Sequence, residues 1–293
     1  MYRKIVSYLC CPKCRSDFAV KAEKESSDEI VEGILCCENG HVYHISDSVA
    51  DFCSHEQGVA NQWETMSEGQ NFEKLDAEMD AGSSQATLEQ RKEVLKALVN
   101  AVSGGNNKVI LDIASGRGML LAELARNLEE DVQIISADLS AFVLKYDHRK
   151  LKKIAPNRKI SYLACDATNL PIKDNVIYAA TTYGGFSNML GCAGEGIKEA
   201  HRVLKQGGVL ADSFVVISKD SKGYEILEQV CAEQSVSGAE GFFLKEPLEK
   251  RHRDLFGETR LQTVCEGIGV DNGMDLLPYD GEWYAELVFN SKK

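Results

Sequence analysis

Apolar and polar positions alternate in blocks along the second half of this chain. Short apolar runs at 108–113, 132–137, 160–165, 176–182 and 208–217 read as strands, and helical spacing occupies 118–128, about 140–153 and 195–205 between them. In the last of these helices Ile197, Ala200, Val203 and Leu204 share one face, and Gly207-Gly208 is expected to stop it. Strands separated by helices imply a parallel sheet with right-handed crossovers. Beyond residue 221 one or two helices are expected, then two late strands near 274–279 and 283–290 with Asp280-Gly281 as the turn. Upstream, Thr87-Leu88-Glu89-Gln90 has a capping-box pattern. Leu88, Leu95, Leu98, Val99 and Val102 then line one helical face, which Gly104-Gly105-Asn106-Asn107 ends. The first 53 residues differ again, with short apolar pieces between turn signals that suggest small strands. Three parts follow: a small unit at 1–53, a polar helical linker or lid at 54–107 carrying Trp63, Met66 and Phe72, and an α/β unit at 108–293.

Composition narrows the classes. No apolar stretch approaches the roughly 20 residues of a membrane helix. The start lacks the long apolar core and small-residue cleavage site of a signal peptide, so the cytoplasm is the expected compartment. A net charge of −12 opposes binding to phosphate backbones. Lys145 to Lys159 runs the other way, with seven Lys/Arg and one Asp, and reads as a solvated helix face or an anionic-substrate patch.

The most informative run is Val109-Ile110-Leu111-Asp112-Ile113-Ala114-Ser115-Gly116-Arg117-Gly118. An apolar strand ends in an acid, a glycine-bearing turn follows, and a helix opens at Met119. That is a nucleotide-type cofactor site at the carboxyl end of a sheet strand. Gly116 and Gly118 let the backbone pass close to a ligand. A dinucleotide fingerprint would place a third small residue at 121, where this chain has Leu121, so an adenosine without phosphates is the better ligand. Asp138 lies 20 residues after Gly118, where a carboxylate accepts both hydroxyls of a ribose. Asp166 closes the next strand.

In this order the motifs resemble the class I S-adenosylmethionine-dependent methyltransferases. Asp112 to Gly118 is similar to that family's first motif. Asp138-Leu139-Ser140, Asp166-Ala167, the Leu170-Pro171-Ile172-Lys173-Asp174-Asn175 lead-in and the Glu199–Gly208 helix-turn follow in register. Gly185-Phe186-Ser187-Asn188 is similar to the loop of quinone-biosynthesis methyltransferases. The resemblance implies a doubly wound, mostly parallel, seven-stranded Rossmann-like sheet ending in an antiparallel strand, with S-adenosylmethionine as cofactor. It implies a cofactor set of Asp112, Ala114, Ser115, Gly116, Gly118, Asp138, Leu139, Asp166, Ala167 and Thr182. Asp166 and Ala167 would face the adenine, and Asp112 the α-amino group. The family's catalytic side chains cluster after the fourth strand, here Thr181, Thr182, Tyr183 and Asn188. Tyr183 is the candidate to orient a substrate, or is a packing wall. His148 and His201 are bases only in principle.

Ten cysteines are present, five of them within the first 37 residues. Cys11, Cys14, Cys37 and His41 give C-x2-C…C-x3-H, a tetrahedral zinc pattern with no open position, hence structural. Cys10 and Cys36 are adjacent substitutes. The segment resembles the zinc ribbon of 23S rRNA guanine-N1 methyltransferases, and its tail is similar to the zinc-binding methyltransferase-activator domain. The leading functional expectation is methyl transfer to a small molecule, without membrane involvement. Two others stay open. An rRNA or tRNA base methyltransferase draws on the ribbon and the basic cluster. A non-catalytic methyltransferase-fold protein, with a protein partner at the zinc-ribbon segment, draws on the lack of a defined base.

Overall fold

The computed structural model describes residues 1–53, 71–104, 108–233, 235–236, 239–270 and 277–293. Trp63 and Met66, and part of the expected strand at 274–279, lie outside the described residues. Among the described residues eleven strands form one sheet in the order β1-β2-β3-β4-β7-β6-β5-β8-β9-β11-β10. These are β1 (Phe18–Ser26), β2 (Glu29–Cys37), β3 (Val42–Ser46), β4 (Val49–Asp51), β5 (Val109–Ile113), β6 (Gln133–Asp138), β7 (Ile160–Ala164), β8 (Ile177–Thr182), β9 (Leu204–Ile217), β10 (Glu258–Ile268) and β11 (Trp283–Lys292). Nine α-helices and two short 3-10 helices (Arg3–Tyr8 and Leu190–Cys192) accompany them among the described residues; the α-helices are α1 (Phe72–Gly82), α2 (Gln85–Val102), α3 (Met119–Asn127), α4 (Ala141–Ile154), α5 (Gly185–Asn188), α6 (Ala193–Val203), α7 (Lys222–Glu233), α8 (Glu240–Phe243) and α9 (Lys245–Leu255).

The expected α/β sheet is present, with two corrections. It is larger than seven strands: β7-β6-β5-β8-β9-β11-β10 form the doubly wound part, with β11 antiparallel to both neighbours. The antiparallel strands β1 to β4 extend the same sheet, because β4 pairs in parallel with β7 through Val49–Tyr162, Ala50–Leu163 and Asp51–Ala164. The other correction concerns the carboxyl-terminal part. The strand before β11 is β10 at Glu258–Ile268, reached through three helices, and Leu277 to Tyr279 are not strand. The helix before β9 ends at Val203, so Gly207-Gly208 falls inside the strand rather than stopping the helix.

β5, β6 and β7 are buried along their whole length, as strands covered on both faces must be. One face packs Leu111, Ile113, Phe186, Ile197 and Phe214, and the other packs Ile110, Leu98, Leu120 and Leu151. The α2 cap lies one turn before the expected box: Ser84 Oγ accepts the Thr87 N–H at 3.1 Å.

The basic cluster of α4 and its exit is in part the expected solvated face, with Arg149, Lys153 and Lys159 exposed, yet most of its cations meet partners of their own molecule. Lys145 meets Ser46 and Asp47, Lys150 meets Asp76, Lys152 meets Glu29, Lys153 meets Glu73, Lys159 meets Asp28, and Arg158 donates to backbone carbonyls of 125, 128 and 129. These contacts bind α4 to the β1–β4 extension and to α1.

Candidate cofactor and metal sites

At the end of β5 the chain turns through left-handed conformations at Ala114 (φ +51°), Gly116 (φ +53°) and Gly118 (φ +71°) before α3 starts. Ser115 donates its N–H to Ala137 O (3.1 Å), and Ser136 Oγ donates to Ser115 Oγ (2.9 Å). The Gly116 N–H reaches Asp138 Oδ2 at 2.8 Å, while Asp138 Oδ1 accepts the Ser140 N–H at 3.0 Å. The Cys165 N–H donates to Asp138 O (2.8 Å), which ties the end of β6 to the start of the loop carrying Asp166. Asp166 Oδ1 accepts from Thr168 N and Thr168 Oγ1 at 2.7 and 2.8 Å. Leu139 and Ala167 are half-buried beside these acids. Asp112, Ser115, Gly116 and Asp138 thus share one turn, and Asp166 lies one strand further along.

Asp112 is buried, and neither carboxylate oxygen has a protein partner among the described residues. It is flanked in register by Ser136 and by Thr181, whose hydroxyl is also buried and unpartnered. Burial pushes the Asp112 carboxyl well above the ordinary range, and Asp138 adds repulsion. A buried carboxyl with no donor is costly unless a ligand supplies one.

Sequence reasoning missed Asp147. It lies on the buried stripe of α4 with Val143, Leu144 and Leu151, and neither of its carboxylate oxygens has a protein partner among the described residues. A Cβ on Gly118 would lie 2.7–2.8 Å from that carboxylate. Gly118 therefore makes room for Asp147, in addition to adopting a positive φ. The signal available was an acid on an apolar helical stripe.

Arg117 was also overlooked. It is buried, donating to Asp76 Oδ1 (2.7 Å) and Asp80 Oδ1 (2.9 Å) of α1. Asp76 Oδ2 accepts Tyr146 Oη and Lys150 Nζ, both at 2.7 Å. Phe72 packs edge-on against Tyr146 with centroids 4.8 Å apart. This network clamps α1 to the turn after β5. Asp76→Ala leaves the buried Arg117 guanidinium with only the exposed Asp80 as partner and removes the acceptor of Tyr146 and Lys150, so a loss of about 2–4 kcal/mol is expected in chemical denaturation.

At the end of β8, Thr182 is buried and its Oγ1 accepts the Gly185 N–H (3.2 Å). A Cβ on Gly185 would lie 2.7 Å from Ala114 Cβ, so the start of α5 presses on the turn. Tyr183 packs half-buried against the layer containing α2 and α3. His148 contacts Glu29 at 3.2 Å, and His201 lies edge-on to Phe256 at 5.1 Å.

In the amino-terminal segment the ligand atoms of Cys11, Cys14, Cys37 and His41 all lie within 4.8 Å of one another. Cys14 Sγ and Cys37 Sγ are 3.6 Å apart, and His41 Nδ1 is 3.4 and 3.3 Å from Cys11 and Cys37 Sγ. A tetrahedral zinc site would place its ligand atoms about 3.5–3.8 Å apart. The residues therefore fit such an ion. Cys10 and Cys36 are outside the group: Cys10 lies near Arg15, and Cys36 faces the Cys37 carbonyl. The same knuckle touches the Asp166 loop, because Arg15 donates to Leu170 O (2.9 Å) and Asn169 Oδ1 (2.6 Å).

A parallel sheet with an acid-ended first strand, a left-handed glycine turn and acids at the next two strand ends defines a Rossmann-like nucleotide-cofactor protein. The chain belongs to the ubiE/COQ5 methyltransferase family, whose model matches residues 63–230, more than half of its length. It is similar to the ubiquinone/menaquinone biosynthesis C-methyltransferase UbiE of Escherichia coli O1:K1, with 31% identity over 121 residues, 40% of this chain and 48% of that protein. The matched segment thus spans about half the length of such curated relatives. Among solved structures it is similar to a phosphoethanolamine N-methyltransferase 2 of Haemonchus contortus (TM-score 0.51, 14% identity, 68% of this chain and 52% of that one). A geranyl diphosphate methyltransferase gives TM-score 0.50 and 15% identity, over 71% of this chain and 88% of that one. At these identities the structural likeness establishes the fold. No helix among the described residues is long and apolar enough to cross a membrane.

Proposed function

We propose that this chain is an S-adenosylmethionine-dependent methyltransferase acting on a small-molecule acceptor, with a structural zinc held by Cys11, Cys14, Cys37 and His41. The observation that carries the reading is Asp112: a buried carboxyl without a protein donor, facing polar neighbours at the end of the central strand. An α-ammonium group supplies the missing donors and the balancing charge. When bound, the cofactor supplies a methyl group activated on a sulfonium. The chain's residues then hold and exclude. Asp138 accepts the ribose hydroxyls, Asp166 and the backbone at Ala167 receive the adenine, and Ala114, Ser115, Gly116, Gly118 and Leu139 shape the cleft. Thr182 fixes the start of α5 against the turn, and Tyr183 forms a wall. Alignment and water exclusion supply much of the rate for an in-line displacement.

Family membership and the C-methyltransferase name of the UbiE relatives support an acceptor of metabolite size. The basic cluster that would favour RNA is largely engaged with the chain's own acids and carbonyls. The test is a metabolite extract, freed of protein and nucleic acid, incubated with methyl-labelled cofactor and the full chain. Label in a small-molecule fraction is expected. Label only in added RNA would transfer the assignment to nucleic acid, and tight cofactor binding with no label anywhere would make the chain a non-catalytic binder.

A further inference from the structure

Two carboxyl groups among the described residues are buried with both oxygens unpartnered, Asp112 and Asp147. On the methyltransferase reading Asp112 meets the cofactor's ammonium group, and Asp147 has no such use. It lies on α4 against Gly118, the last residue of the turn after β5. A Cβ on Gly118 would lie 2.7 Å from Asp147 Oδ1 and 2.8 Å from both Cγ and Oδ2. A point so nearly equidistant from the three atoms of a flat group lies over its face. The carboxyl therefore meets the turn face-on and aims neither oxygen at it. A branched apolar side chain of that length is thicker and would push Gly118 away.

No cation pairs with it. Lys150 of the same helix is held by Asp76 Oδ2 at 2.7 Å and by the Arg117 carbonyl at 3.1 Å, and Arg117 itself is held by Asp76 and Asp80. The other ionisable groups around it are Asp112 of β5, Asp138 of β6, Tyr162 of β7, Asp76 of α1 and Tyr146 of α4. Burial pushes the Asp147 carboxyl well above the ordinary range; Asp138, Asp76 and Asp112 push it the same way, and Lys150 opposes them. The group keeps its proton to higher pH than an exposed carboxyl does.

We propose that Asp147 is a positioning residue for cofactor binding: its flat, uncharged carboxyl is the floor on which Gly118 rests, and through Gly118 it sets the turn that holds Asp138. The proposal rests on the methyltransferase reading. The links are short: the Gly118 N–H donates to Ser115 O at 3.0 Å, and the Gly116 N–H to Asp138 Oδ2 at 2.8 Å. An ionised Asp147 needs donors, and the first amides of α3, which no side chain caps, lie on the adjoining segment. Turning its oxygens toward them takes the flat face from under Gly118. Cofactor binding guards against this. An ammonium group ionises Asp112, and the new negative charge makes Asp147 hold its own proton more firmly.

The experiment titrates the full chain calorimetrically with S-adenosylhomocysteine, which keeps the ammonium group and lacks the sulfonium charge, across the neutral to alkaline range. Asp147→Ala is expected to weaken binding about tenfold, because the turn loses its floor. Asp147→Asn, flat like the protonated acid, is expected to recover most of that loss. It cannot ionise, so its affinity relative to wild type should climb with pH, whereas a residue that only filled space would give a constant ratio. A misfolded fraction lowers the measured stoichiometry rather than the affinity, which separates folding from positioning. Equal affinity in Asp147→Ala and wild type, or an Asp147→Asn ratio that does not move with pH, overturns the proposal and leaves the methyltransferase reading standing. No binding by the wild-type protein at any pH would overturn that reading itself, and the positioning role with it.

Discussion

Asp112→Asn is expected to weaken S-adenosylmethionine binding by roughly 10- to 100-fold near neutral pH, in line with losing a hydrogen-bonded charge partner worth about 1.5–3 kcal/mol. The larger effect concerns pH. In the free protein burial raises the Asp112 pKa well above the ordinary range, so the group holds its proton longer than an exposed carboxyl would. A cationic ligand favours the ionised form. Binding therefore releases a proton, and affinity rises with pH from the usual carboxylate range of about 4 up to the raised value, then levels off. The stability sign is opposite: the native state binds the proton more tightly than the unfolded chain, so this group's contribution falls as pH rises through that window. Calorimetry in buffers of different ionisation enthalpy reads the proton directly. Wild type should release it and Asp112→Asn should not. An unchanged pH profile in the variant would remove Asp112 from the ammonium site.

Cys14→Ser is expected to release about one equivalent of zinc and lower the melting temperature by about 10 °C, since structural zinc contributes folding free energy directly and one kcal/mol shifts a chain of this size by about 2–4 °C. The effect should not stay local. The knuckle carries Arg15, which holds Leu170 and Asn169, and β4 is a strand of the central sheet through β7. Unfolding of the first part should coincide with loss of the whole sheet. Elemental analysis showing no metal in wild-type protein, or a variant with unchanged melting, would refute the zinc site.

The central strands were legible because burial on both faces leaves continuous apolar runs, as at Val109–Ile113 and Ile160–Ala164. β10 escaped because it is an edge strand with no buried residue: Thr259, Leu261, Val264 and Cys265 are only half-buried, and Glu258, Arg260, Gln262 and Glu266 are exposed, so the apolar signal is thin. The turn after β5 was visible in Asp112, Gly116 and Gly118, yet the left-handed Ala114 was not, because its conformation is imposed by neighbours rather than by its own preference. Asp138 and Asp166 follow from strand ends. Arg117 and Asp76 depend on packing between distant segments, which no local pattern encodes, while Asp147 left only the trace of an acid on an apolar helical stripe. The cluster of Cys11, Cys14, Cys37 and His41 was readable from spacing, whereas the pairing of β4 with β7 needed the third dimension.

Most lysines of α4 and its exit pair with carboxylates of their own molecule, which offsets much of that local positive charge. With a net charge of −12, the far field of the protein is negative. A cofactor with a positive sulfonium approaches with that field, and a polyphosphate chain approaches against it.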